Sequence, residues 1–379
     1  MHAVTNTISV NWITGRNFDL LWYIGACLTS YLMIYLHLGL GISALMLWWF
    51  WILSVDGPHV FATFSRTYFD IQEWSLRAKL FYGSLICYLV GPVFLFLSIA
   101  VRTQVPYLVF LAFASLWAYW HVVRQHYGFL VLYQKKNGEA AGKENKLDYW
   151  CFYILMLAPF VSFLFRHPEA REQLGMGPAI TDPQLFLVQS THVLIVAALL
   201  LYAGKEFYGA LKGRRFNLPK NLFLAASVPL HLVIFLHPYI STQLPVRLFV
   251  VFVTFYHNVQ YHGIVWFYNR NRYGKDSEGK SYGPASFISR NFLIYYSAGL
   301  LFTVVYRYAN WYFLGLEVPL LPGPSEISQL AIGLSFTISD LAFAFWWGFA
   351  FHHYYLDQKI WRVSRDRRLN QELKLVASV

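Results

Sequence analysis

Long uninterrupted apolar runs dominate the chain, broken by short polar stretches. Each run is long enough to cross a hydrocarbon core of about 30 Å, which takes about 20 helical residues. About ten such spans can be placed, starting near Leu20, Leu38, Leu80, Pro106, Tyr149, Leu185, Asn221, Pro245, Asn291 and Gln329. The second is expected to continue past Asp56-Gly57-Pro58 as an amphipathic extension. The fourth, eighth and tenth are long enough to project beyond a bilayer by a few turns. The first run is too long for a signal-peptide core and lacks a small-residue cleavage site, so it is read as retained. The longest polar stretches are loops of about 15–25 residues. The expected fold is therefore all-α, a polytopic transmembrane helical bundle forming a single integral-membrane domain over residues 1–379.

Composition agrees: 57% of the 379 residues are hydrophobic and only 13% are charged, against roughly a quarter charged in soluble domains. A net charge of +11 would suit a nucleic-acid partner, but the location of the charges excludes that reading. Arg66 to Lys79, Lys135 to Lys146, Lys205 to Lys220, Arg270 to Arg290 and the tail with Lys359, Arg362, Arg365, Arg367 and Arg368 are basic, and they fall in alternate loops. The opposite loops carry little beyond Arg102, Arg166, Arg171 and Arg247. By the positive-inside rule the basic loops, and with them both termini, are expected on the cytoplasmic side, beside anionic lipid headgroups. Cys27, Cys87 and Cys151 lie far apart without CxxC spacing, so nothing suggests a disulfide framework or zinc knuckle.

The thirteen histidines carry the chemistry. The segment from His121 reads HVVRQHYGFLVLYQKKNG and that from His257 reads HNVQYHGIVWFYNRNRYG. Both are H-x-V-x-x-H and both run into a basic boundary, a weak internal repeat around 106–138 and 245–274. His352 and His353, with Asp357 one turn on, end the tenth span; Asp56 and His59 end the second. Four segments thus bring His59, His121, His126, His257, His262, His352, His353, Asp56 and Asp357 to one membrane face at similar depth. Ionisable groups within spans are costly and mark function, and neutral imidazole is the commonest ligand for zinc, iron and copper.

The plainer reading is that of structural histidines bonding between helices or sitting in the interfacial aromatic belt. Common depth argues against it for the residues named. It is retained for His37, His192 and His237 towards the other side, His167 in an outer loop, His231 at mid-span and the terminal His2.

The H-x4-H spacing poses a difficulty. Five residues advance a regular helix by about 500°, which leaves the two rings about 140° apart. Either the two bind different ions, or a π-bulge rotates them together, or only one is a ligand. Arg124, between His121 and His126, can snorkel to the surface, pair with Asp340 or another acid, or hold an anionic substrate group. Asp340 is read as buried in the tenth span, about 18 Å along the helix from His352. Gly274 to Ser281 matches GxxxxGK[ST], yet that phosphate cradle needs a strand before it and a soluble α/β domain around it. The match is set aside.

On His121/His126, His257/His262 and His352/His353 the chain resembles the histidine-rich integral-membrane non-haem iron enzymes, the desaturase, hydroxylase and alkane-monooxygenase group. The bacterial membrane-bound carotene-cleaving dioxygenases are similar in style. The family boxes are HxxxH and HxxHH, whereas this chain has H-x4-H twice and HHxxxD. The resemblance implies an oxidoreductase of lipid metabolism using iron, as two ions rather than one, with zinc or copper also suited to imidazole. It implies O2, a lipophilic small-molecule substrate, a cytosolic electron donor and a cytoplasmic-side active site that performs hydroxylation, desaturation or oxidative cleavage. His59, His121, His126, His257, His262, His352, His353 and Asp56 are then the expected metal residues, with Asp357 and Arg124 expected in catalytic roles. Two other classes remain open. A metal-ion or proton transporter predicts polar residues along a path through both leaflets, and a bis-His haem electron carrier predicts a Soret band.

Overall fold

The computed structural model describes residues 7–139, 143–274, 281–313 and 326–375. Its long helices are α1 (Arg16–Leu38), α2 (44–65), α3 (Ile71–Val101), α4 (Val105–Lys136), α5 (Lys143–Arg166), α6 (Asp182–Leu211), α7 (Leu218–Leu236), α8 (Val246–Tyr273), α9 (Phe292–Phe313) and α10 (Ile338–Ile360). Among the described residues, six helices are long and apolar enough to cross a membrane: α1, α3, α4, α5 from Asn145, α6 and α7. That is the mark of an integral membrane protein. Residues 275–280 of the GxxxxGKS match, and His2, lie outside the described residues.

The chain divides into two compact units, one of residues 1–49, 121–263 and 373–379, the other of 50–120 and 264–372. In the first unit, α1 contains a π-helical turn at Leu20–Ile24. Two side chains of α8 serve the Tyr23 carbonyl there: the Tyr256 hydroxyl donates at 2.7 Å and Gln260 Nε2 at 2.8 Å. Gly263 lets α8 come this near, since a Cβ there would lie 2.8 Å from Trp22 Cβ and 3.0 Å from the Tyr23 ring. Buried Asp19 accepts from the backbone N–H groups of Ile13, Thr14 and Gly15 at 2.7, 3.0 and 3.3 Å, which folds the preceding loop over the start of α1. Phe186, Val193, Leu200 and Phe207 of α6 are 67–71% exposed. They recur two turns apart, so one stripe of α6 is apolar and uncovered, as a lipid-facing surface is.

Charges gather at the ends of α5, α6 and α7. Lys220, only 2% exposed, lies 3.1 Å from Glu139, 3.4 Å from Asp148 and 3.2 Å from Glu206. Lys205 reaches Asp148 at 2.5 Å and Glu206 at 2.8 Å. Buried charges persist when paired in this way. A short parallel pairing of Ile8–Ser9 with Phe216–Asn217 lies in the same unit.

In the second unit, α3 and α10 pack through small residues, the usual device where backbones must approach closely in a membrane protein. A Cβ on Gly91 would meet the Ala344 carbonyl oxygen at 2.2 Å, and one on Gly348 would meet Tyr88 Cα at 2.5 Å. Around this contact lies a core of Cys87, Leu95, Tyr107, Phe110, Ala114, Phe336, Ala344 and Phe351. The helix α2 does continue past Asp56-Gly57-Pro58, through a π-helical turn at Ile52–Asp56 into Gly57–Ser65. The extension is buried nearly all round rather than amphipathic, because α9 covers it at Gly57, where Thr303 Oγ1 would lie 2.1 Å from a Cβ.

Asp70 caps α3, accepting from the N–H groups of Gln72 and Glu73 at 2.9 and 3.1 Å, while its other oxygen takes Arg272 Nε at 2.6 Å and the Tyr273 hydroxyl at 2.8 Å. The Arg66 guanidinium is held between the Tyr268 and Trp361 rings at 4.0 and 3.9 Å. Asp340 is not buried in mid-span. It is half-buried at the start of α10, where it closes a capping box with Thr337, the usual device for satisfying the first N–H groups of a helix.

Candidate metal site

In the second unit, His59 of α2 and His353 of α10 are buried, their rings 4.5 Å apart and near-perpendicular. Thr63 lies one turn after His59 on the same face of α2. Its hydroxyl lies 2.7 Å from His353 Nδ1 and 2.9 Å from Asp357 Oδ1. A hydroxyl has one proton, and an ionised carboxylate only accepts. Thr63 therefore donates to Asp357 and accepts from His353 Nδ1–H, which leaves the Nε2 lone pair of His353 as its ligand atom. Asp357 Oδ2 stands 3.8 Å from that nitrogen, one turn along α10. Thr63 thus orients an imidazole and sets its tautomer, as outer partners of metal-bound histidines do.

In the first unit, His121 of α4 and His257 of α8 form a second buried pair, with rings 5.0 Å apart at 81°. Gln125, one turn after His121, donates its Nε2 hydrogen to the His257 backbone carbonyl at 2.7 Å. That bond sets the register of α4 against α8 at the two rings.

His59, His121, His257 and His353 each offer one nitrogen, and these four nitrogens all lie within 4.8 Å of one another. A metal–imidazole bond is about 2.0–2.1 Å, so ligands around one ion stand roughly 3.4–4.2 Å apart. The group could hold a metal ion. Four neutral imidazoles bring no charge of their own, and Asp357 is the carboxylate beside His353. Such a donor set suits zinc, iron and copper.

The other expected site residues are not among these four. His126, five residues beyond His121, packs against the ring of His231 at 5.4 Å. The helix α4 runs from Val105 to Lys136 with no π-turn at the pair, and π-turns occur at Leu20–Ile24 and Ile52–Asp56 instead. Regular winding keeps the two rings on different faces, so His121 joins the group and His126 does not. His262 is buried on α8 and is not one of the four. His352 turns away from its neighbour, its Nε2 2.7 Å from the Tyr68 hydroxyl. Asp56 accepts from Arg307 at 2.8 Å, a charge partner from α9 that satisfies it outside the group. Arg124 is exposed, and its guanidinium donates to the Tyr153 hydroxyl at 2.6 Å.

Thr63 was not visible as a site residue in the sequence. Its one signal is the i,i+4 relation to His59 on a helix that continues through both. His167, placed in an outer loop by sequence, is buried and caps a short helix at Pro168–Gln173, its other nitrogen donating to the Leu244 carbonyl at 2.8 Å.

The role of Thr63 is testable. Thr63→Val keeps the shape and removes the hydroxyl, so metal affinity measured by chelator competition is expected to fall about 10–100-fold. Thr63→Ser should restore it. Equal affinities for the valine variant and the parent would refute the orienting role. A scan against family models, a search of curated proteins and a search of solved structures each found no match.

Proposed function

We propose that the chain is a membrane-bound, metal-dependent oxidoreductase, with iron held by His59, His121, His257 and His353. It uses O2 and electrons from a cytosolic donor to hydroxylate, desaturate or oxidatively cleave a lipophilic substrate. The observation that supports this reading best is the convergence of four buried imidazole nitrogens from four helices within 4.8 Å. We further propose ten spans in a single domain, with both termini and the site on the cytoplasmic side. Six helices are long and apolar enough to cross a membrane; His121 lies on one of them, α4, and His59, His257 and His353 lie on α2, α8 and α10.

Bound iron would supply oxygen activation and one-electron chemistry at this site. The protein's own part is positional. Thr63 and Asp357 fix the His353 ring, Gln125 fixes the His257 backbone, and burial of all four rings keeps water from the ion. Tyr68 and His352 share a hydrogen bond at 2.7 Å, beside Phe64 and Tyr88, whose rings lie 5.3 and 5.5 Å from His352. That aromatic wall suits an acyl or isoprenoid chain, and the Tyr68–His352 bond holds a proton at its edge. Four nitrogens this close leave no slot for a porphyrin, which argues against the haem carrier.

The test uses full-length protein purified in detergent. Elemental analysis is expected to find iron, and the anaerobically reduced protein is expected to consume O2 faster when lipid extract from its expression host is added, with an oxygenated or desaturated product seen by mass spectrometry. Iron-free protein with unaltered lipid turnover would overturn the reading.

A further inference from the structure

Beyond the four-histidine group, the first unit contains a second pair of histidines whose orientation is fixed by their own helices. His126 of α4 donates its Nδ1 hydrogen to the Val122 carbonyl at 2.9 Å, and His231 of α7 donates its own to the Ser227 carbonyl, also at 2.9 Å. Each bond is to the residue one turn back on the same helix. Each ring is thereby held as the Nδ1–H tautomer, with its Nε2 lone pair directed away from its own backbone. Both rings are fully buried, and their centroids are 5.4 Å apart at 86°. His126 Nε2 has no hydrogen-bond partner among the described residues, His231 included. An acceptor left bare in a buried place is destabilising, so the position calls for something that binds a lone pair.

We propose that His126 and His231 form a separate two-nitrogen site for a monovalent soft cation, copper(I). Two metal–imidazole bonds of about 2 Å put each ring centre roughly 3.1 Å from the ion, so rings with centres 5.4 Å apart leave room for an ion between them at a bent nitrogen–metal–nitrogen angle. A shared proton needs a hydrogen-bond contact between the nitrogens, and His126 Nε2 makes none. The surroundings select the charge. Phe223 and Tyr256 flank the His126 ring at 6.0 and 5.0 Å, and the Tyr256 hydroxyl is directed at the Tyr23 carbonyl. The cost of burying an ion rises with the square of its charge, so a divalent ion between two neutral ligands pays about four times that of a monovalent one. Copper(I) also accepts two-coordination, whereas zinc seeks four ligands.

The experiment separates this site from the four-histidine group by working in a His121→Ala/His257→Ala background, in full-length detergent-purified protein. Copper(I) is supplied anaerobically against a competing copper(I) chelator. One equivalent is expected to remain bound, with two nitrogen neighbours in its X-ray absorption spectrum. Adding His126→Gln or His231→Gln is expected to weaken retention about 100-fold. His231→Met, which offers a thioether in its place, should retain copper(I) and add a sulfur neighbour to the spectrum. The proposal is overturned if folded background protein, judged by size exclusion and melting, retains no copper(I). It is equally overturned if retention ignores the His126 and His231 substitutions, or if zinc(II) displaces copper(I) at equal concentration.

Discussion

His257→Ala is expected to release the metal from the four-histidine group almost completely. Substitutions of outer partners alone weaken metal sites 10–100-fold, and removing one of four direct nitrogen donors should exceed that range. Loss will also show as stability. An ion present at 1,000 times its dissociation constant stabilises the folded state by about 4.1 kcal/mol, so parent protein should melt clearly higher before than after treatment with a strong chelator. The alanine variant should melt at the same temperature in both conditions. This within-variant comparison separates the metal from the packing cost of truncating a buried ring. His262→Ala, five residues along the same helix and outside the group, should keep its metal. If His257→Ala holds metal as tightly as the parent, the four-histidine group is not the site.

The second large effect concerns stability alone. Lys220 lies buried among Glu139, Asp148 and Glu206, with Lys205 the other cation of the network. Lys220→Met removes the central ammonium, leaves Asp148 and Glu206 sharing Lys205, and takes the Lys220 ion pair from Glu139. Breaking one side of a buried ionic arrangement costs about 3–5 kcal/mol, whereas replacing a whole pair with apolar groups can be nearly neutral. The melting temperature in detergent should fall strongly for Lys220→Met, and Lys220→Met combined with Asp148→Asn should recover part of the loss. If the single and double variants melt alike at the parental temperature, the network carries no stability.

The helices were legible because apolar length is a local property. The runs near Leu20, Pro106, Leu185 and Asn221 all appear as helices long and apolar enough to cross a membrane. The run near Leu38 breaks first, at a turn where Gly41 has a φ of 69° and His37 Nδ1 donates to the Ile42 carbonyl. Asp340 shows a local signal left unread. Thr337-x-x-Asp340 is the pattern of a capping box, and it placed the acid at a helix start.

Partners far apart in sequence were beyond local reasoning. Asp56 was expected at the metal, and Arg307, 251 residues away, holds it elsewhere. His231 was expected to be structural, and α7 lays it against His126. The doubled H-x4-H motif lies between these cases. Helical winding alone showed that His121 and His126 face about 140° apart on a regular helix, so both could serve one ion only through a π-bulge. Which of the two would face His257 depended on the side from which α8 approaches, and that depends on small contacts such as Gly263 against Trp22 and Tyr23.

By itself the sequence determined a predominantly helical chain with helices long and apolar enough to cross a membrane, and the pool of histidines from which a site could be drawn, because hydropathy and helical period act over a few turns. The tertiary structure decided that His59, His121, His257 and His353 are the ones that meet, and that Thr63 and Asp357 support His353. The physical reason is that a helix fixes which side chains share a face, while close packing between distant helices decides which faces touch.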